Sequence, residues 1–260
     1  MKQPFLLIQK LSIGYRNLKN PLILPIDVVA EKGQLIALIG SNGSGKSTLL
    51  KTLSGIISPL AGHIILNNQP LDQISSYDKS LLVSVVLTTY PTDFFLRVED
   101  VVAMGRYPYV GFWGRLRDND REKVEQCMSV CGISHLKGRM MVDLSDGERQ
   151  KTMIAKALAQ DTPIMLLDEP TAFLDYPGKL ELMLLLKTLA LKEGKLILFS
   201  SHDLEVVFKK ADIIWLIAAQ KKLLSASPES ILQGNSLQEY FNQNQQYFDF
   251  KLDKEGKISH

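Results

Sequence analysis

Three uninterrupted apolar runs punctuate the chain: Leu35-Ile36-Ala37-Leu38-Ile39, Ile164-Met165-Leu166-Leu167 and Leu196-Ile197-Leu198-Phe199. Each has the length of a strand buried on both faces, without the alternation of a half-exposed one. Each also stops at residues able to do chemistry. A Gly-rich turn follows Ile39, Asp168-Glu169-Pro170 follows Leu167, and Ser200-Ser201-His202-Asp203 follows Phe199. Helical periodicity fills 47–53, 149–160 and 178–191. Strand-like stretches at 5–15 and 23–29 are separated by the turn residues Asn17, Asn20 and Pro21. Buried strands alternating with helices predict an α/β domain around a mostly parallel sheet, with active groups at its carboxyl edge. Between 97 and 138 the texture changes to helix-like segments rich in charge and aromatics, read as part of a helical insertion over about 88–160. Past 219, residues 228–232 predict one short capped helix. Tyr240, Phe241, Tyr247, Phe248 and Phe250 suggest packing of a C-terminal extension, 236–260, to which no chemistry is assigned.

Composition narrows the classes. Of 260 residues, 45% are hydrophobic and 22% charged, which excludes disordered, collagen-like and disulfide-stapled chains. Thirty basic against 28 acidic side chains leave a formal charge of +2 and no electrostatic case for nucleic acid. The apolar start of the chain is too short for a signal peptide, and no uncharged apolar stretch reaches the roughly 18 residues of a membrane span, so the chain reads as soluble. Cys127 and Cys131 lie four apart in a helical stretch without companion ligands. They read as small apolar residues of a protein in a reducing compartment, not as a zinc site.

The chemistry begins at Gly40-Ser41-Asn42-Gly43-Ser44-Gly45-Lys46-Ser47, which fits G-x-x-x-x-G-K-[ST] with a strand before it and a helix after. The glycines let consecutive backbone N–H groups turn inward around phosphates, and the helix N-terminus adds about half a positive charge. Lys46 supplies a full charge at the β and γ phosphates, Ser47 offers a hydroxyl to Mg²⁺, and Thr48 stands near the α phosphate. Asp168 closes an apolar strand, where a carboxylate can hold Mg²⁺ through its water shell. Glu169, one residue on and pointed differently, is placed to polarise an attacking water. Adjacent carboxylates in apolar surroundings are costly, which argues for function. A lone histidine is ordinarily structural, but His202 ends the third strand, in reach of a γ phosphate.

These residues resemble the ATP-binding subunits of ABC transporters, from about Leu11 to Leu232. Besides the Walker A loop, the likeness covers the signature Leu144-Ser145-Asp146-Gly147-Glu148, the Walker B end Leu167-Asp168-Glu169-Pro170, the D-loop Phe173-Leu174-Asp175 and the switch histidine His202. Tyr15 matches the A-loop aromatic that stacks on adenine. The resemblance implies an α/β P-loop NTPase (ABC ATPase) with a RecA-like parallel-sheet core, an N-terminal antiparallel β region and a helical subdomain, the ATPase domain spanning 1–235. It implies ATP and Mg²⁺ as cofactors, and two copies facing head to tail as a homodimer. Each ATP would be sandwiched between one Walker loop and the other copy's Ser145 and Gly147, with Glu148 beside them and Asp175 near the dimer axis.

Gly105-Arg106-Tyr107-Pro108-Tyr109 and Ala159-Gln160-Asp161-Thr162-Pro163 resemble the iron–siderophore, haem and cobalamin importer branch. That likeness implies an ATPase subunit on the cytoplasmic face of the cell (inner) membrane. It would be bound to permease subunits and linked through them to a periplasmic or extracellular substrate-binding protein. Tyr90, Phe94, Phe95, Tyr107, Tyr109, Phe112 and Trp113 crowd between positions 90 and 113. They fit either the core of the helical insertion or an exposed groove for a permease helix.

Two positions depart from the family pattern. Thr88 stands where a metal-contacting Gln is usual, and its shorter side chain favours a bridging water. Asp146 replaces a glycine of the signature; a carboxylate aimed at a γ phosphate would repel it, so its side chain is expected to turn away. Competing classes fit less well. A DNA-repair ATPase would need sustained heptads between Walker A and signature, a ribosomal one usually a second cassette, and a GTPase an N-K-x-D motif; none is present. An exporter half is disfavoured by the 105–109 segment.

Overall fold

The computed structural model describes residues 4–15, 20–87, 95–111, 114–218, 221–233, 251–252 and 258–259. In chain order the elements are β1 (Leu6–Ile13), β2 (Ile23–Ala30), β3 (Leu35–Gly40), α1 (Lys46–Leu53), β4 (Ala61–Leu66), β5 (Gln69–Pro70), α2 (Ser76–Leu82), β6 (Val83–Val86) and α3 (Val98–Ala103). There follow α4 (Asp118–Val130), α5 (Asp146–Ala159), β7 (Ile164–Leu167), α6 (Tyr176–Glu193), β8 (Leu196–Ser200), α7 (Leu204–Lys210), β9 (Ile213–Ile217), β10 (Leu223–Ala226) and α8 (Pro228–Gln233).

The main sheet runs β10-β9-β3-β8-β7-β6, all neighbours parallel except β10 against β9. A second, antiparallel sheet runs β2-β1-β4-β5. The three apolar runs of the sequence are therefore the neighbouring strands β3, β8 and β7. The sequence reading missed β9, although Ile213-Ile214-Trp215-Leu216-Ile217 carries the same continuous apolar signal. It also missed β6, whose four residues follow α2 without a break and become a strand only by pairing with β7.

Alternation within these strands divides the core. Leu35, Ala37 and Ile39 of β3, Met165 and Leu167 of β7, and Ile197 and Phe199 of β8 face the helical side, where they meet side chains of α3 to α7. Ile36 and Leu38, Ile164 and Leu166, and Leu196 and Leu198 face the other way, onto α1 and the antiparallel sheet. A continuous apolar run is what two packed faces demand. At about 1.5–3 kcal/mol for each fully buried large aliphatic side chain, every strand residue contributes to holding the sheet's carboxyl edge in register.

Within 88–160 the described residues carry α3, a 3-10 turn over Met104–Tyr109, α4 and α5. The 105–109 segment clasps the end of α5. Arg106 pairs with Asp120 of α4 at 3.0 Å and donates to the Ala159 carbonyl at 2.8 Å, while the Tyr109 hydroxyl donates to the Gln160 carbonyl at 2.9 Å. Burial pushes the Asp120 carboxyl up, but the Arg117 N–H and the Arg106 guanidinium outweigh it and hold the group below its ordinary value. Cys127 and Cys131 are buried on α4, which lifts their thiols to about 11 and about 12 and keeps them protonated. Among the described residues no helix is long and apolar enough to cross a membrane.

Candidate functional site

The carboxyl ends of β3, β7 and β8 converge because their registers align: Leu38 stands opposite Ser200, and Leu167 opposite Phe199. The chain leaves β3 at Gly40 and enters α1 after Gly45, whose φ of +103° only glycine adopts without strain. A methyl at Gly40 would sit 2.6 Å from the Ser44 hydroxyl and 3.2 Å from Ile217 Cβ, so a side chain there would displace Ser44 in the loop. The buried Ser44 Oγ has no hydrogen-bond partner. Such a buried polar atom needs an explanation, and a phosphate oxygen in the loop supplies one, with the α1 N-terminus behind it.

Lys46 is buried and folds back, donating from Nζ to the Gly40 carbonyl at 2.9 Å and the Ser41 carbonyl at 3.3 Å. Its third contact is His202 Nε2 at 3.1 Å. Since an ammonium can only donate, that ring nitrogen accepts and His202 is neutral at this contact. Burial, with Lys46 beside it, accordingly keeps the His202 pKa below its ordinary value. Burial likewise lowers Lys46, opposed by Glu169 and Asp168.

Glu169 Oε1 lies 3.1 Å from the same His202 nitrogen but finds no donor. The residue follows β7 in the left-handed region, φ +50°, a conformation that a non-glycine residue holds only under constraint and that aims its side chain away from that of Asp168. Burial raises the Glu169 pKa above its ordinary 4.5, with Lys46 opposing. Hydrolysis that needs ionised Glu169 should be intact above the raised value and fall as pH drops through it. A single-turnover pH profile is therefore expected to show an acid limb centred above 4.5; a rate flat through that point would remove the base role.

Asp168 is buried, and its Oδ1 accepts from the Ser200 hydroxyl at 2.7 Å. Ser200 is the site residue that sequence reasoning missed: it ended a strand beside a histidine, a signal of position but not of partnership. Tyr15 places its hydroxyl 3.4 Å from Thr48 Oγ1, over the first turn of α1, and leaves its ring partly exposed. Walker residues, both carboxylates, His202 and Tyr15 thus gather at one edge.

The signature lies elsewhere on the surface of this chain. Ser145 caps α5, accepting from the Glu148 N–H at 3.3 Å, while Glu148 accepts from the Ser145 N–H at 2.8 Å and hydroxyl at 2.9 Å. The Ser145 N–H is the first cause holding the Glu148 carboxyl below its ordinary value. Glu148 is engaged within its own helix cap, so what it does here is order Ser145. Asp146 pairs with Arg149 one turn on, at 2.5 Å. Gly147 packs against the Phe173 carbonyl, and Asp175 caps α6 by accepting from the Gly178 N–H at 3.1 Å. Thr88 lies outside the described residues, as do Tyr90, Phe94, Phe112 and Trp113; Phe95 and Tyr107 are exposed.

The family model described as ABC transporter matches residues 24–172. An uncharacterized ABC transporter ATP-binding protein of Methanocaldococcus jannaschii is 36% identical over 234 residues, 90% of this chain and 80% of that protein. The ferric enterobactin transport ATP-binding protein of Escherichia coli is 33% identical over 233 residues, 90% of this chain and 85% of its own. Other relatives are named for iron(3+)-hydroxamate, hemin and cobalamin import. A solved metal-chelate type ABC transporter in an inward-facing conformation superposes with a TM-score of 0.80 at 27% identity, over 92% of this chain and 90% of that one.

Proposed function

This chain belongs to the ABC transporter family as an ATP-hydrolysing, ATP-binding subunit, and from that premise we propose that it powers import of an iron chelate, haem or cobalamin-type substrate through a separate permease. The observation that carries the catalytic part is the meeting of Lys46, Glu169 and His202 around one His202 nitrogen, with 3.1 Å to each partner. Lys46 gives up its carbonyl contacts for the γ phosphate, His202 donates a ring N–H to the same group, and Glu169 orients the attacking water or takes its proton. Positioning and electrostatics carry most of the rate in such reactions. Ser47 and Asp168 would hold Mg²⁺, which when bound neutralises charge developing on the phosphates; Thr88 is a further candidate ligand. Tyr15 offers a stacking face to adenine.

Ser145 bonds within its own helix cap and Gly147 packs against Phe173 and Leu174, so none of the contacts seen for the signature reaches the Walker loop it follows in sequence. A second copy supplies the missing half, which favours a homodimer with two composite sites and Asp175 near its axis. The Asp146–Arg149 pair removes the charge that would otherwise oppose the partner's triphosphate. The importer reading rests on the relatives' transport names and on the 105–109 segment. It places the chain peripherally on the cytoplasmic face of a membrane, with an external binding protein acting through the permease.

Phe95 is 76% exposed and Tyr107 61%, more than solubility favours for two aromatics, and they mark the permease face. Tyr109 of the same cluster belongs to the interior clasp instead. A Phe95→Ser, Tyr107→Ser chain is expected to lose about tenfold or more in permease co-purification while its melting temperature and basal ATP turnover stay within error. Unchanged co-purification would move the docking face elsewhere. The chelate that stimulates turnover by the assembled complex identifies the cargo class.

A further inference from the structure

Ser200 is fully buried at the end of β8, and its single hydroxyl serves two neighbours at once. It donates to Asp168 Oδ1 at 2.7 Å and accepts from the backbone N–H of Glu169 at 2.9 Å. The direction of both bonds is forced: a carboxylate oxygen accepts and an amide N–H donates, so the one hydroxyl proton goes to Asp168. The Asp168 N–H is itself held by the Val86 carbonyl at 2.8 Å, in the strand on the other side. The turn carrying both acidic residues is thus pinned from β6 and from β8.

The geometry points to Ser200 as a positioning residue for the two carboxylates. The bond to Oδ1 restrains the orientation of the Asp168 carboxylate. Anchoring the Glu169 N–H holds that residue in its left-handed conformation at φ +50°, which aims its side chain at Lys46 and His202. With its hydroxyl committed to these two neighbours, Ser200 acts through Asp168 and Glu169, and the inference rests on the roles proposed for them above.

The test is Ser200→Ala in the full-length chain, with three readouts. Loss of a buried hydrogen bond to a charged group corresponds to about 10- to 100-fold, and outer partners of metal ligands have effects of the same order. The expected result is a fall of about that size in kcat for MgATP. Binding of Mn²⁺ to the ATP-loaded protein, followed by electron paramagnetic resonance, should weaken by about fivefold or more. ATP affinity in EDTA should stay within about twofold, because the Walker loop is untouched. Values of kcat and Mn²⁺ affinity within about twofold of wild type would overturn the inference. So would an equal loss of ATP affinity in EDTA, which would show that the hydroxyl merely holds the fold. Glu169→Gln, measured in parallel, separates the two levels: if that chain hydrolyses ATP at the wild-type rate, the carboxylate roles themselves fail; if it is inactive while Ser200→Ala is normal, only the role of Ser200 fails.

Discussion

A Glu169→Gln chain is expected to bind ATP at least as tightly as the wild type and to hydrolyse it about a hundredfold or more slowly. Glutamine keeps the shape of the side chain and the left-handed turn but cannot accept a proton, and general-base contributions run from about 10² to 10⁴. Binding should not suffer, for an electrostatic reason. Burial pushes the Lys46 ammonium toward its neutral form, and Glu169 is the first of the charges opposing that push. With the carboxylate gone, the γ phosphate becomes the principal anion facing Lys46, and repulsion between Glu169 and the triphosphate disappears. If the composite sites are real, ATP should then hold two copies together, visible as a doubled mass in gel filtration with ATP and a single one with ADP. Phosphate release within about threefold of wild type would rule out Glu169 as the group acting on water.

Gly105→Ala is expected to destabilise the folded chain by about 3 kcal/mol, from overpacking against backbone. A methyl at this position would lie 2.2 Å from the Lys156 carbonyl oxygen and 3.0 Å from both the Ala159 methyl and the Gln160 nitrogen. None of these is the free end of a flexible side chain, so the 3-10 turn must withdraw from α5. Withdrawal would stretch the bonds from Arg106 and Tyr109 to the Ala159 and Gln160 carbonyls. It would also disturb Gln160, which donates to the Ser80 and Val83 carbonyls at 2.7 and 3.1 Å and so ties α5 to the start of β6. A urea midpoint shift at unchanged slope measures the effect; a loss below about 0.5 kcal/mol would mean that the clasp is loose. Because α5 carries Ser145 at its other end, surviving folded protein should also lose ATP-dependent pairing.

The resemblance of 105–109 to an importer segment and its clasp on α5 are compatible. Arg106 and Tyr109 point inward to hold α5, while Tyr107 between them stays exposed. One segment thus positions the signature helix and offers a surface to a partner.

Much of this protein was legible along the chain because its strongest signals are local. A strand buried on both faces must be apolar throughout, so β3, β7 and β8 announced themselves. A phosphate loop must bring glycine, lysine and hydroxyl together within eight consecutive residues, so 40–47 did too. Asp168, Glu169 and His202 stood out because each ends such a strand. Other features had no local signature. Four residues at β6 are a strand only because β7 lies beside them, and nothing adjacent to Ser200 in sequence shows that its hydroxyl joins two carboxylates more than thirty positions away. Likewise, of the clustered aromatics the described ones divide, Tyr109 into an inward clasp and Phe95 and Tyr107 onto an exposed face, and for Tyr109 it is α5 that decides. Hydrophobic periodicity and backbone turn chemistry are written in neighbouring residues; hydrogen bonds across a sheet, and the strain they hold in place at Glu169, exist only once distant strands have been brought into register.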